Sequence, residues 1–136
     1  MRIFIDPGHG GADPGVVHQP VVEKDLNLTV AQLVRARLEN AGHDVAMARD
    51  TDVALKLSER GALSAKFQAD LVISIHTNAN QSPDPKGLMT FYWPGNEKGQ
   101  RVAESIAAAC PEPLRRRQMA YAATKEGWPR VRNVLT

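Results

Sequence analysis

Apolar and polar positions alternate in short blocks along this chain, and the block lengths predict strands and helices in turn. Residues 2–6 carry Ile-Phe-Ile and stop at Asp-Pro. The run is too short for a buried helix, and its residue types suit a strand. Residues 12–22 read as a loop. Over 24–41, Leu26, Val30, Leu33, Val34, Leu38 and Ala41 recur at helical spacing, with Arg35, Arg37 and Glu39 mostly off that face. Gly42 is placed to stop the helix. Asp44 to Ala48 predicts a strand and Arg49 to Asp52 a turn. A second helix is predicted over 57–68, although Gly61 lies inside it. Leu71 to Ile75 reads as a buried strand, and residues 81–87 as an exposed loop. Leu88 to Tyr92 predicts a further strand. Residues 97–110 predict a helix with Val102, Ala103, Ile106, Ala107 and Cys110 on one face, ended by Pro111 and Pro113. Residues 114–129 follow no clear period, and 130–135 read as a last strand. Strands alternating with helices predict an α/β domain of three layers, with helices on both faces of a mixed, mostly parallel sheet.

Candidate chemistry gathers where the apolar blocks break off. Pro7 cannot extend a strand ladder, and the glycines after it allow a sharp bend, so His9 is expected on a tight loop at the carboxyl edge of the sheet. Glu23 stands at the acidic start of the first helix. Its ordinary role there would be to favour the helix dipole, worth about 0.3–1 kcal/mol. His76 ends the buried strand, where a polar ring needs a partner. Two imidazoles and a carboxylate at three element ends suit zinc with a fourth position open. The glycine loop fits no nucleotide site. It lacks the Gly-Lys-Ser/Thr ending of a P-loop, and Asp13 stands where a dinucleotide fingerprint needs glycine.

Five segments carry a family resemblance. They are Asp6-Pro-Gly-His-Gly-Gly11, Glu23-Lys-Asp-Leu-Asn-Leu28, Arg49-Asp-Thr-Asp52, Leu57-Ser-Glu-Arg60 and Ser74-Ile-His-Thr-Asn-Ala79, in that order. Together they resemble the zinc-dependent N-acetylmuramoyl-L-alanine amidases, cell-wall hydrolases of the family-3 type, from Met1 to about Leu135. The resemblance implies one Zn2+ per chain on His9, Glu23 and His76. It also implies hydrolysis of the amide between N-acetylmuramic acid and L-alanine in peptidoglycan, as in autolysins and endolysins. Such enzymes also carry a glutamate, in a Leu-Val-Glu segment, that serves as general acid/base. That segment is absent here. Glu112 and Glu126 lie outside the context, and Glu126, in a turn-like Lys-Glu-Gly-Trp stretch, is the nearest substitute. The 136 residues therefore read as a single catalytic domain shortened at its C-terminus, with an exposed sheet edge that would promote self-association. Two other readings stay open: a catalytically impaired zinc module that binds peptidoglycan, and another zinc hydrolase of wall fragments, a carboxypeptidase or deacetylase.

Around the ligands, Asp6, Ser74 and Asn78 are expected to orient the histidines, and Asn78 to touch substrate. Arg49, Asp52 and Arg60 are expected to make structural polar contacts. His18 could flank the cleft, and His43 should be exposed. Tyr92, Trp93, Tyr121 and Trp128 are expected in core or rim packing. Composition changes little in this picture. A length of 136 residues and 43% apolar content suit one domain. A net charge of +2 is too small to argue for nucleic acid by itself, and no nucleic-acid partner is expected; the charge is uneven, −2 before Pro111 and +4 from there on, around Arg115-Arg116-Arg117. Cys110 is alone, so no intrachain disulfide forms, and it reads as a small buried apolar residue. No apolar run approaches the roughly 20 residues of a membrane span. No signal peptide precedes the first strand. Action on the bacterial wall then implies release as a phage-type lysin or a mature fragment of a longer precursor.

Overall fold

The computed structural model describes residues 1–77 and 87–110 in full, and the backbone of 116–120 and 134–135. The elements run β1 (Arg2–Pro7), β2 (Val17–His18), β3 (Val21–Val22), α1 (Glu23–Asn40), β4 (Asp44–Met47), α2 (Leu57–Lys66), β5 (Leu71–Ile75), β6 (Leu88–Tyr92), α3 (Glu97–Ala109), β7 (Arg116–Ala120) and β8 (Val134–Leu135). Six strands form one sheet in the order β4-β1-β5-β8-β6-β7, and β2 and β3 form a separate small hairpin. All neighbours in the main sheet are parallel except β6 and β8. The mixed, mostly parallel sheet of the expectation is present.

The register of β1 explains its position. Arg2 to Ile5 pair with Asp44 to Met47 on one side, and Ile3 to Pro7 pair with Leu71 to Ile75 on the other. A strand flanked on both sides and covered on both faces must be apolar almost throughout. Alternation then divides the core. Ile3, Ile5, Val45, Met47, Leu71, Ile73 and Ile75 face Ala31, Val34 and Leu38 of α1 and Val102 and Ala103 of α3. Phe4, Ala46 and Val72 face the opposite way, packed with Leu55, Phe67 and Ala69 around the α2 side. The Phe4 and Phe67 rings stand 6.4 Å apart at 44°. These two clusters make the three layers.

Helix α1 keeps part of the expected face and turns the rest outward. The buried positions are Glu23, Asn27 and Ala31, continued by half-buried Val34 and Leu38. Leu26, Val30 and Leu33 are exposed, Leu33 at 64%. The helix carries two apolar stripes, and the one with the larger side chains points outward. Its rotation is fixed by Glu23 and Asn27, which turn inward at the top of the sheet. At its other end the Gly42 amide donates to the Glu39 carbonyl and the His43 amide to that of Leu38. Gly42 sits at φ +81°. This is a Schellman stop, as Gly42 predicts.

The remaining boundaries fall within a few residues of the sequence reading, with α2 ending at Lys66 rather than residue 68. The hairpin β2–β3 falls within the 12–22 stretch predicted as loop, because two-residue strands leave no periodic signal. Strand β7 lies in the stretch that follows no clear period. Of the expected last strand only Val134 and Leu135 are described. Cys110 is buried, as expected. His43 is half-buried rather than exposed, at the end of the sheet where Asp44 pairs with Arg2. Trp93 is 41% exposed and Tyr92 packs on the core, while Tyr121 and Trp128 lie outside the described residues. Among the described residues no helix is long and apolar enough to cross a membrane.

Candidate metal centre

β1 and β5 run parallel and end side by side, and α1 starts at the same edge of the sheet. His9 follows β1, His76 follows β5 and Glu23 opens α1, so three residues distant in sequence converge. Among the described residues they form a group whose ligand atoms lie within 4.8 Å of one another. His9 Nε2 and His76 Nδ1 each stand 3.2 Å from Glu23 Oε1. The two rings meet edge-on, with centroids 5.0 Å apart and planes at 83°. Two donors about 2.0–2.1 Å from one ion at tetrahedral angles are about 3.4 Å apart. The spacing and the nitrogen and carboxylate donors therefore fit a tetrahedral metal.

The carboxylate is held in place before any ion arrives. Glu23 Oε2 accepts the Val16 amide at 2.9 Å, and Oε1 accepts the Thr77 amide at 3.0 Å. Burial raises the Glu23 pKa, but these amides, the Asn27 side chain and the neighbouring His9 outweigh it and hold the group below its usual value. Thr77 Oγ1 donates to Asn27 Oδ1 at 3.0 Å, which ties the end of β5 to α1.

His9 is oriented by Asp13. Its Nδ1 lies 2.9 Å from Asp13 Oδ2, so that nitrogen carries the proton and Nε2 is left as a donor for a metal. Asp13 Oδ1 accepts the Gly15 amide at 3.1 Å, and Asp13 is held below the ordinary carboxylate range by His9 first and that amide second. Sequence reasoning missed Asp13. Its signal was present, an aspartate four residues after His9 in an Asp-Pro-Gly turn, but such residues also read as plain turn chemistry.

Asp6 and Ser74 do not orient the histidines. Asp6 shares the face of β1 that carries Phe4, and there it pairs with Arg60 at 2.6 Å and accepts from Ser74 at 3.1 Å. Arg60 is thus a structural contact, as expected, and so is Arg49. Both side chains are nearly fully buried, and both donate to backbone carbonyls of the His9 loop. Asp52 accepts the Gly11 amide at 2.7 Å and the Lys24 ammonium at 2.6 Å. Asn78, Glu112, Arg115 and Glu126 lie outside the described residues. His18 is exposed on the hairpin β2–β3, which lies in sequence between His9 and Glu23.

Close packing explains two of the glycines. A Cβ on Gly8 would fall 2.6 Å from His76 Nδ1, inside the ring's own space. Gly15 adopts φ +65°, and a Cβ there would meet His9 Cδ2 at 2.6 Å and Glu23 Oε2 at 2.7 Å. His9 itself sits at φ +61°, a conformation that costs a residue with a side chain on the order of 1–3 kcal/mol.

A family model described as N-acetylmuramoyl-L-alanine amidase matches residues 3–133. The N-acetylmuramoyl-L-alanine amidase LytC of Bacillus subtilis (strain 168) is 43% identical over 106 residues, which cover 76% of this chain and 21% of that protein. The germination-specific N-acetylmuramoyl-L-alanine amidase of the same strain is 36% identical over 118 residues, 76% of this chain and 50% of that one. Among solved structures, the amidase AmiC2 of Nostoc punctiforme superposes with a TM-score of 0.87 at 26% identity, covering 99% of this chain and 76% of that one. The chain thus spans between about a fifth and a half of the length of these two curated relatives.

Proposed function

The chain belongs to the N-acetylmuramoyl-L-alanine amidase family, and from that premise we propose that it hydrolyses the amide between N-acetylmuramic acid and L-alanine in the bacterial cell wall, with one zinc ion held by His9, Glu23 and His76. The observation that carries the reading is the convergence of those three side chains at one sheet edge. The chemistry a bound zinc supplies is polarisation of the amide carbonyl and a water of lowered pKa. The chain's own residues do the rest. Asp13 keeps the His9 proton on Nδ1 and turns Nε2 inward. The Val16 and Thr77 amides keep Glu23 ionised and still.

The L-alanine amine must be protonated as it leaves, which calls for a general acid. The carboxylates described around the site are committed elsewhere. Glu23 takes two amides, Asp13 takes His9 and an amide, and Asp6 is paired with Arg60. Glu126 remains the candidate from the sequence. The same commitment of carboxylates favours a second reading, a zinc module that binds peptidoglycan and cuts it slowly.

Two measurements test the proposal. Elemental analysis should find about one zinc per chain in the purified protein and almost none in His76→Ala. Digestion of purified peptidoglycan should release intact stem peptides with a free L-alanine amino group, and a chelator should stop it. Zinc binding without such release supports the module reading. Trimmed peptides or freed acetate in place of whole stems would assign the site to a carboxypeptidase or a deacetylase.

A further inference from the structure

Two buried cations lie under the loop that presents His9, and the proposed reaction has no use for their charge. Arg49 is 3% exposed and Arg60 is 6% exposed. Arg49 donates Nε to the Pro7 carbonyl at 3.1 Å. Its Nη2 donates to the carbonyls of Gly8 at 2.9 Å and Lys24 at 2.8 Å, and its Nη1 to Thr51 at 3.2 Å. Arg60 donates Nη1 to Pro7 at 2.7 Å and to Asp6 at 2.6 Å, and Nη2 to the His9 carbonyl at 2.8 Å. Three successive carbonyls, those of Pro7, Gly8 and His9, therefore all end on guanidinium groups.

That arrangement does more than satisfy buried oxygens. Pulling three consecutive carbonyls toward two fixed forks leaves the backbone at His9 little choice but its left-handed turn, and that turn sets the direction of the imidazole. Nη2 of Arg49 also spans from Gly8, just before one proposed ligand, to Lys24, just after another. One planar group thus fixes the separation of the two segments that carry His9 and Glu23. A lysine could carry the same charge but could not reproduce the fork.

We infer that Arg49 and Arg60 are positioning residues that preform the metal site: they clamp the Pro7–His9 carbonyls and lock the His9 loop to the start of α1, so that His9 Nε2 faces Glu23 before an ion binds. The inference rests on the zinc reading above. Groups that orient a metal ligand are typically worth 10–100-fold in metal affinity.

The test is a competition titration of zinc against a chromophoric chelator, on wild type, Arg49→Lys, Arg60→Lys and Ile3→Val, each with a melting curve. Ile3 lies at the far end of β1, and its shortening weakens the core without touching the loop. Both lysine variants should bind zinc at least about tenfold more weakly while keeping a native circular dichroism spectrum. Ile3→Val should lower the melting temperature and stay within about twofold of wild-type affinity. Wild-type affinity in both folded lysine variants would overturn the clamp, as would an equal loss in Ile3→Val. Should a lysine variant not fold, arginine Nε–H exchange in the zinc-free wild type decides. Slow exchange at both arginines supports a preformed clamp, and fast exchange until zinc is added refutes it. A wild type that binds no zinc would instead defeat the zinc reading itself.

Discussion

At the residue scale, the candidate metal site owes its shape to side chains outside the His9, Glu23 and His76 group. Asp13 sets the His9 tautomer, two amides still Glu23, and Gly8 leaves room for His76. Asp52 works one step further out, bridging the Gly11 amide and the Lys24 ammonium. Its pKa lies below the ordinary 3.8, through the Lys24 hydrogen bond first and the Gly11 amide second. A carboxylate depressed in the folded state adds stability that is complete above its unfolded pKa and is lost as the pH falls through the folded one. Asp52→Asn should therefore melt below wild type at pH 7. The gap should close as the pH drops from about 4 through the lowered pKa of Asp52. Melting curves of the two proteins at stepped pH check this, and a gap that persists unchanged to pH 2 would remove Asp52 from the loop's support.

At the scale of elements, α1 is the instructive case. Apolar periodicity selects Leu26, Val30, Leu33, Val34, Leu38 and Ala41 together, yet Val34 and Leu38 pack on the core while Leu26, Val30 and Leu33 face outward. The face that packs is set by Glu23 and Asn27, polar residues whose burial depends on partners in other segments. Those partners cannot be read from helical spacing. The structure makes a direct prediction. Leu33→Lys should change stability by no more than about 0.5 kcal/mol, as at an ordinary surface position. Ala31→Leu, at a fully buried position, should cost about 1–3 kcal/mol by overpacking. Urea denaturation of the two variants separates the faces, and the reverse order would restore the outward stripe to the core. Strands β1 and β5 were legible because each is apolar on both faces and ends abruptly in polar residues. The same breaks made His9 and His76 visible. The hairpin β2–β3 and the Asp13 contact were not, since each is a short turn whose structure is decided by what it leans on.

At the scale of the molecule, the three proposed ligands stand at the end of β1, the start of α1 and the end of β5, at a single edge of the sheet. An ion bound there would link its affinity to the folding of all three segments. Zinc held at about 100 times its dissociation constant should add roughly 2.7 kcal/mol of stability, or about 10 °C in melting temperature. Calorimetry with zinc and with chelator measures the difference, and equal melting temperatures would place the ligands in separate folding units. The three side chains are unequally exposed, Glu23 at 4%, His9 at 24% and His76 at 41%. An ion held by them would have one flank open to solvent, on the side of the His76 ring. Access to such an ion would then be one-sided: a small competing ligand would reach it past His76 and not past the buried Glu23.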